Sequence, residues 1–243
     1  MQHEEARPAI SILRLADVAA SQWGLVTTAQ AGAVGVSPQS VAKLARNGTL
    51  ERLAHGVYRL AGSPADPLDD LRAAWLALDP ERTVGQRLAD QTPDVVSDRS
   101  AAVLFGYGNL DADRHDFTVR IRRQSRRPDV RFHRRVLGRK DWTIRGGLPV
   151  TTPRITIGDL AAAHLDGDHL AGIVRDAVLD GGAHPDDVAA ALRPHAHTYG
   201  APLGDGTELL HRLLVKAGVP SGLTAVVALV GARRAEQSVG PIA

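Results

Sequence analysis

Residues 27–60, TTAQAGAVGVSPQSVAKLARNGTLERLAHGVYRL, constrain the fold of this chain more than any other stretch. Their spacing predicts two short helices joined by a tight turn and followed at once by two short strands. Thr27 or Thr28 can cap the first helix, and Gly35 supplies a residue that tolerates the positive φ of the turn. This order of elements is typical of a winged helix-turn-helix, which places one helix in a groove of DNA.

The second helix of this motif presents a polar face. Ser37 and Pro38 predict its start, as N-cap and first helical residue, and Gly48 predicts its end. Apolar side chains at helical spacing face inward. The outer face then carries Gln39, Ser40, Lys43, Arg46 and Asn47. Glutamine can pair with adenine and arginine with guanine, whereas the lysine and the asparagine suit phosphate contacts as well.

The two strands are predicted at residues 50–53 and 57–60, with a turn at residues 54–56, and they form the wing. Arg52, His55 and Arg59 are the wing side chains expected to reach the DNA backbone beside the groove. Small helical hairpins also occur as plain packing units and as protein-interaction modules. The agreement of cap, turn glycine, polar face and wing favours DNA binding over these alternatives.

Composition excludes several classes of protein. The 243 residues contain no cysteine, which rules out disulfides and thiolate metal sites and fits a reducing cytoplasm. No apolar run is long enough to span a bilayer, and the first ten residues lack the order of a secretory signal, so a cytoplasmic protein with no membrane contact is expected. The formal net charge is only +2, so the distribution of charge is more informative than its sum.

Breaker residues at 61–67 predict a domain boundary. We therefore expect an α+β chain with a winged helix-turn-helix at residues 1–62, a mixed domain at 67–217 and a weakly structured tail at 218–243. Alternating apolar residues predict strands at 116–121 and 130–136, joined by a hairpin loop in a small antiparallel sheet. Several helices are predicted to follow these strands, the first at residues 152–163.

The predicted strands and the loop between them concentrate positive charge. Residues 114–145 contain twelve Lys or Arg against three Asp, so the rest of the chain is net acidic. A second surface for an anionic partner is therefore a hypothesis, with Arg120, Arg122, Arg123, Arg126, Arg127 and Arg131 as its members. DNA phosphate, RNA phosphate and an acidic protein all fit, and a solvated face is the alternative.

No constellation of residues predicts catalysis. His184, His195 and His197 lie near one another in sequence without a carboxylate or cysteine at metal-site spacing, so a solvated loop is favoured over a metal site. The chain has no phosphate-cradling glycine loop and no serine between elbow glycines. We expect a protein that is not an enzyme and that needs no cofactor or metal.

Short blocks along the chain resemble the AbiEi family of antitoxins from type IV toxin–antitoxin systems, in its actinobacterial form. The matching blocks are GLVTTAQA at 24–31, LERLAHGVYRL at 50–60, AWLAL at 74–78, VSDRSAA at 96–102, GLPVTTPR at 147–154 and IGDL at 157–160. The resemblance implies a repressor whose winged helix binds inverted repeats in its own promoter. It also implies that the second domain counteracts a nucleotidyltransferase-like toxin, and a palindromic site would require two copies on DNA.

Longer relatives share these regions but continue into a nuclease module resembling the very-short-patch-repair endonucleases. Residues 205–210 and 217–220 resemble the lead-in to that module, but no acidic catalytic set follows them. Two alternatives to the antitoxin therefore remain open. One is a stand-alone transcriptional regulator without a toxin partner, and the other is a degenerate relative of these endonucleases.

Overall fold

The computed structural model describes residues 3–125, 127–220 and 222–223. Contacts between Cα atoms divide the chain into two units, residues 1–94 and residues 95–243. Both units combine helices with a small sheet, so the α+β class expected from sequence is confirmed. Within the described ranges, no helix is long and apolar enough to cross a membrane.

The first unit consists of helices around a three-stranded sheet. Its elements are α1 (His3–Ala20), β1 (Leu25–Thr27), α2 (Thr28–Ala33), α3 (Pro38–Arg46), β2 (Leu50–Ala54), β3 (Val57–Leu60), α4 (Asp69–Leu78) and α5 (Val84–Leu88). The strand order is β1-β3-β2 and both pairings are antiparallel. The two helices, the turn and the hairpin predicted for residues 27–60 are therefore present.

The residues at the ends of α2 and α3 form the caps and turns that their types predict. Thr27 caps α2, and Gln30 closes a capping box with it. Gly35 has φ +80° between the helices, a conformation that costs glycine little. Ser37 caps α3 by accepting from the backbone N–H of Ser40, and Gly48 follows the helix with φ +74°. Buried side chains at the junction pack into one cluster: Leu15, Val26, Ala31, Val36, Val41, Leu44 and Leu50.

The first unit extends beyond the linker that residues 61–67 predict. Trp75 of α4 is completely buried and packs edge-on against Trp23, with ring centroids 6.4 Å apart. Arg72 lies over the Trp23 ring and Arg87 over the Trp75 ring, at 5.0 and 3.4 Å from the ring centroids. These stacked side chains hold α4 and α5 against Trp23, because the two rings are shielded from water by this packing and by the guanidinium groups on their faces.

The second unit joins a five-stranded sheet to a helical region. Its elements are β4 (Val95–Val96), α6 (Asp98–Phe105), β5 (His115–Val119), β6 (Val130–Arg134), β7 (Trp142–Arg145), β8 (Leu148–Thr151), α7 (Pro153–Ala162), α8 (Gly167–Leu179), α9 (Pro185–Leu192) and α10 (Gly206–Lys216). The helices α7 to α10 enclose an apolar core that includes Ile157, Leu170, Ile173, Leu192 and Leu209. Most of the tail expected at 218–243 lies outside the described residues.

The five-stranded sheet is mixed, in the order β6-β5-β4-β8-β7. The prediction that residues 116–121 and 130–136 form a hairpin is wrong, since β5 and β6 run parallel, with Phe117 opposite Phe132 and Val119 opposite Arg134. The β4–β8 pairing is also parallel, whereas β4–β5 and β7–β8 are antiparallel. Alternation of apolar residues sets which face is buried and is the same for both strand directions, so it could not reveal this pairing.

Candidate nucleic-acid interface

The outer face of α3 is free of the protein core. Gln39, Lys43, Arg46 and Asn47 are exposed, and Ser40 is half-buried. The Ser40 hydroxyl lies 3.0 Å from the Ser37 hydroxyl at the helix start. Lys43 and Arg46 lie in the last turn of the helix. Four of the five residues predicted to contact DNA thus lie on one short helix and the fifth, Asn47, is its C-cap. The opposite side of the helix, with Val41 and Leu44, is buried.

The wing holds two further predicted residues at its tip. Arg52 and His55 are both exposed, and Arg52 Nη2 lies 3.1 Å from His55 Nδ1. The register between β2 and β3 shifts between Arg52 and Ala54, and Arg52 Nε donates to the Ala54 carbonyl at 3.4 Å. A register shift of this kind bends a strand and redirects its side chains. The Arg52 guanidinium and the His55 imidazole therefore lie together at the end of the wing hairpin.

Arg59 differs from the other predicted wing residues because two carboxylates hold it. Its Nη2 lies 2.5 Å from Glu51 Oε2 and its Nη1 lies 2.7 Å from Asp69 Oδ2. The bond with Glu51 and the bond with Asp69 raise the pKa of the Arg59 guanidinium above its ordinary value. These contacts connect β2, β3 and α4. Arg59 therefore stabilises the position of the wing against α4. A direct contact between Arg59 and DNA stays a prediction.

Buried amides fix the position of α2, which precedes the exposed helix. Gln22 Nε2 donates to Gln30 Oε1 at 2.6 Å and to the Leu25 carbonyl at 2.9 Å. Gln30 Nε2 donates in turn to the Arg82 carbonyl at 2.9 Å. Both glutamines are buried, and buried amides are stable only when such partners are present. No sequence pattern predicts this pairing, because the two residues are polar and eight positions apart.

Arg14 is a second residue that the sequence did not single out. Its Nη1 donates to the Val34 carbonyl at 3.2 Å, in the turn between α2 and α3. A Cβ on Gly35 would lie 3.0 Å from the same nitrogen, so the turn and the arginine fit closely. Arg14 thereby links α1 to the turn that sets the angle of α3.

The predicted second surface is exposed at four of its positions. Arg120, Arg122, Arg123 and Arg131 face solvent at or beside β5 and β6. Arg127 is half-buried and pairs with Asp129, and this hydrogen bond lowers the pKa of the Asp129 carboxyl. Arg126 lies outside the described residues.

An ionisable cluster at the same sheet was not predicted. His133 Nε2 lies 2.8 Å from Asp116 Oδ1 and 3.6 Å from Asp98 Oδ2. The hydrogen bond to Asp116 raises the pKa of His133, and burial raises the pKa of Asp98. Asp98 also has φ +54°, a strained conformation for a residue other than glycine. Only the parallel β5–β6 pairing brings these groups together, so the sequence could not have shown the cluster.

The histidines considered for a metal site have structural surroundings. His184 caps α9, with its Nδ1 3.3 Å from the backbone nitrogen of Asp186. His195 and His197 lie in the single-turn helices at 193–195 and 197–199. Across the described part of the chain, no group of three or more His, Asp or Glu side chains could hold a metal ion.

A family comparison bears directly on the exposed helix. Residues 13–61 match the family model described as transcriptional regulator, AbiEi antitoxin. The matched segment runs from within α1 to the end of β3, and it includes both α3 and the wing. The resemblance to AbiEi antitoxins expected from sequence is thus confirmed over these residues. No curated protein matches the chain.

One solved structure matches both units of the chain in fold. It is the crystal structure of the RV2827C protein from Mycobacterium tuberculosis, with 19% sequence identity and a TM-score of 0.51. The match covers 92% of this chain and 81% of that chain. At this identity the likeness concerns the fold alone.

Proposed function

We propose that residues 25–60 form a winged helix-turn-helix that binds duplex DNA, with α3 in the major groove. The proposal is supported chiefly by the polar, cationic and largely exposed face of α3, which lies inside the segment that matches a regulator family. Arg46 and Gln39 are the base-reading candidates, because their side chains can form bidentate pairs with guanine and adenine. Lys43, Asn47 and Arg52 are placed to contact phosphate, with His55 beside Arg52.

The protein then acts as a transcriptional repressor of its own operon. The contacts that support this proposal are those that fix α3: Arg14 on the turn, Gln22 and Gln30 behind α2, and Arg59 at the wing. A recognition helix discriminates between bases only when its frame holds it in one orientation, because each bidentate contact depends on direction. Two copies on inverted repeats would present two such helices about one turn of DNA apart.

The second part of the proposal is antitoxin activity against a nucleotidyltransferase-like toxin. The family description supports the antitoxin role by naming an antitoxin and a transcriptional regulator. The nucleotidyltransferase-like nature of the toxin is what the resemblance to AbiEi antitoxins implies. We assign the protein a binding role without catalysis, a cofactor or membrane contact, in the cytoplasm. A neighbouring gene for a nucleotidyltransferase-like protein is expected, and its absence would favour the stand-alone regulator.

Gel-shift titration of the full chain against the DNA upstream of its gene tests the repressor role. We expect a shift at protein concentrations well below those needed for a random duplex of equal length. Lys43→Ala with Arg46→Ala should abolish this difference, whereas Arg212→Ala, which removes an exposed arginine of α10, should preserve it. Equal affinity for both duplexes would reject the repressor role.

Co-expression with the neighbouring nucleotidyltransferase-like protein tests the antitoxin role. Growth arrest by that protein should be relieved by the full chain, and unrelieved arrest would reject this half of the proposal. Incubation of the pure protein with Mg²⁺ and DNA should leave the DNA intact. Cleavage would instead favour the endonuclease alternative.

A further inference from the structure

Two helices of the first unit begin with the same four-residue pattern. Residues 27–30, TTAQ, start α2, and residues 83–86, TVGQ, start α5. In each pattern the threonine caps the helix, and the glutamine side chain accepts from the backbone N–H of that threonine. This second bond measures 3.0 Å for Gln30 and 2.8 Å for Gln86. Both helices therefore start with a complete capping box, which satisfies backbone donors that a helix end leaves free.

One peptide group joins the two capping boxes. The Thr83 N–H donates to Gln86 Oε1, and the carbonyl of the same peptide group, that of Arg82, accepts from Gln30 Nε2 at 2.9 Å. Because a peptide group is planar, its N–H and its C=O cannot turn independently. The bond that Gln86 accepts therefore restrains the direction of the carbonyl that Gln30 contacts. We call Gln30, Arg82, Thr83 and Gln86 the joined boxes.

The side chain of Arg82 closes the segment around this peptide group. Its Nη1 and Nη2 lie 2.7 and 2.9 Å from the two carboxylate oxygens of Asp90, and Nη2 also donates to the Gln86 carbonyl at 2.6 Å. Nearby, the Pro80 carbonyl accepts from the Thr27 hydroxyl at 2.5 Å. This segment thus gives the start of α2 two carbonyl acceptors, and side chains of the segment itself hold one of them in place.

The position of α2 bears on the position of α3, because the two helices share one buried cluster. Ala31 of α2, Val36 of the turn and Val41 of α3 all belong to it. A close-packed interior transmits strain from one element to the next, so a shift of α2 would move α3 as well.

We propose that the joined boxes position α3 for base reading, with Arg82 and Gln86 as positioning residues. This inference rests on the proposed DNA-binding function, and it adds residues that lie beyond the family match at 13–61. A bidentate contact with a base depends on the orientation of the helix that carries it, whereas attraction to the phosphate backbone is independent of sequence. Loosening the joined boxes should therefore reduce discrimination between duplexes more than affinity for duplex DNA in general.

Gel-shift titration of a full-chain Gln86→Met variant, on promoter and on random duplexes, tests this role. Gln86 is exposed, and the change replaces one neutral side chain with another, so the charge of the protein stays the same. The ratio of the two affinities should fall by about fivefold or more, which is the lower end of what one bidentate pair contributes. Affinity for the random duplex should stay within about twofold of the wild type.

Two control variants accompany this change. Gln86→Glu is the conservative variant, since glutamate completes a capping box as glutamine does. Its affinity ratio should stay within about twofold of the wild type, although the added negative charge weakens binding to both duplexes. Gln91→Met makes the same chemical change as Gln86→Met at another exposed glutamine, and it should leave the ratio and both affinities unchanged.

A double-mutant cycle measures the link between the boxes without DNA. Urea denaturation gives the unfolding equilibrium constants of Gln30→Met, Gln86→Met and the double variant, and tryptophan fluorescence shows that each variant folds. Once Gln30 no longer contacts the Arg82 carbonyl, the direction of that carbonyl matters less. The effects of the two single changes, multiplied, should therefore exceed the effect of the double change by about twofold or more.

Several results would overturn the inference. They are an unchanged affinity ratio in Gln86→Met, an equal fall of the ratio in Gln86→Glu or Gln91→Met, and independent effects in the cycle. An equal loss of affinity for both duplexes in Gln86→Met would also overturn it, because the box would then only stabilise the fold. Failure of the proposed function is a separate result, since the wild type itself would bind promoter and random DNA equally. That result would reject base reading by α3 and the positioning role with it.

Discussion

Replacing the buried Gln30 by methionine tests the frame that holds α3. Methionine has a similar volume, so the change removes polar contacts and leaves little cavity. Gln30 Oε1 accepts from the Thr27 backbone nitrogen at 3.0 Å and from Gln22 Nε2 at 2.6 Å, and Gln30 Nε2 donates to the Arg82 carbonyl. The variant loses these three bonds and a fourth, longer one from Gln30 Nε2 to Gln22 Oε1 at 3.4 Å. It also loses the half of the capping box that the Gln30 side chain forms, whereas the Thr27 side-chain cap remains.

The free energy of unfolding should fall by about 1–3 kcal/mol. An unpaired buried donor costs about 1–3 kcal/mol, and the Thr27 nitrogen becomes such a donor. Gln22 keeps its bond to the Leu25 carbonyl, and the half-exposed Arg82 can reach water, so these two losses are smaller. The side-chain cap itself is kept, because the Thr27 hydroxyl accepts from the backbone nitrogen of residue 30, so it adds no further loss.

Urea denaturation followed by tryptophan fluorescence measures this change, because Trp23 and Trp75 report on the first unit. The matched control is Gln39→Met, which makes the same chemical change on the exposed face of α3. It should alter stability by less than about 0.5 kcal/mol, since an exposed side chain loses no buried partner. A Gln30→Met variant within 0.5 kcal/mol of the wild type would show that the buried amides do not fix the frame.

Three further predictions follow from named contacts. Arg46→Ala should weaken binding of the preferred DNA by about 1–3 kcal/mol and relax preference at one base pair, and a uniform loss across sequences would make Arg46 a phosphate contact. Arg59→Met should lower DNA affinity without changing the salt slope, whereas Arg52→Ala should reduce the slope by about 0.9; equal slope changes would place Arg59 on the DNA. Because its pKa is raised, His133 stabilises the fold fully below pH 6.5, and this contribution is lost as the pH rises through the folded-state pKa. His133→Asn should remove that loss in urea titrations from pH 6 to pH 9, and an unchanged pH profile would contradict the assignment.

The local structure of the first unit was predictable because single residues determine it. Thr27, Gly35, Ser37 and Gly48 each satisfy a backbone requirement at a helix end or a turn, and such requirements depend on residue type. The hairpin of β2 and β3 followed from its short turn. The exposed face of α3 followed as well, since burial of Val41 and Leu44 leaves the other side to solvent.

The extent of the first unit was not predictable from the same signals. The breaker residues at 61–67 predict a linker between domains. Trp75, which lies beyond them, nevertheless packs against Trp23, and the guanidinium of Arg87 stacks on the Trp75 ring. Proline and glycine mark a turn in the chain without showing whether the next helix returns to the same core. Only the contact between Trp23 and Trp75, which lie far apart in the sequence, shows that α4 packs onto the first unit.

In the second unit, the sequence likewise did not show whether β5 and β6 pair parallel or antiparallel. The alternation of apolar and polar residues predicted both β5 and β6 and the face that each strand buries. The direction of their pairing depends instead on the path of the loop at residues 120–129. The ionisable cluster of Asp98, Asp116 and His133 depends on that direction. Its residues were visible in the sequence, whereas their proximity was not.

Selection of the full chain on a random duplex library tests the central claim most directly. Sequencing of the bound DNA reports whether α3 reads bases and whether two copies bind together. We predict enrichment of one motif with two inverted half-sites about one helical turn, 10–10.5 base pairs, apart. Arg46→Ala should erase preference at one position in each half-site. A bound pool with the same sequence composition as the starting library would contradict the account.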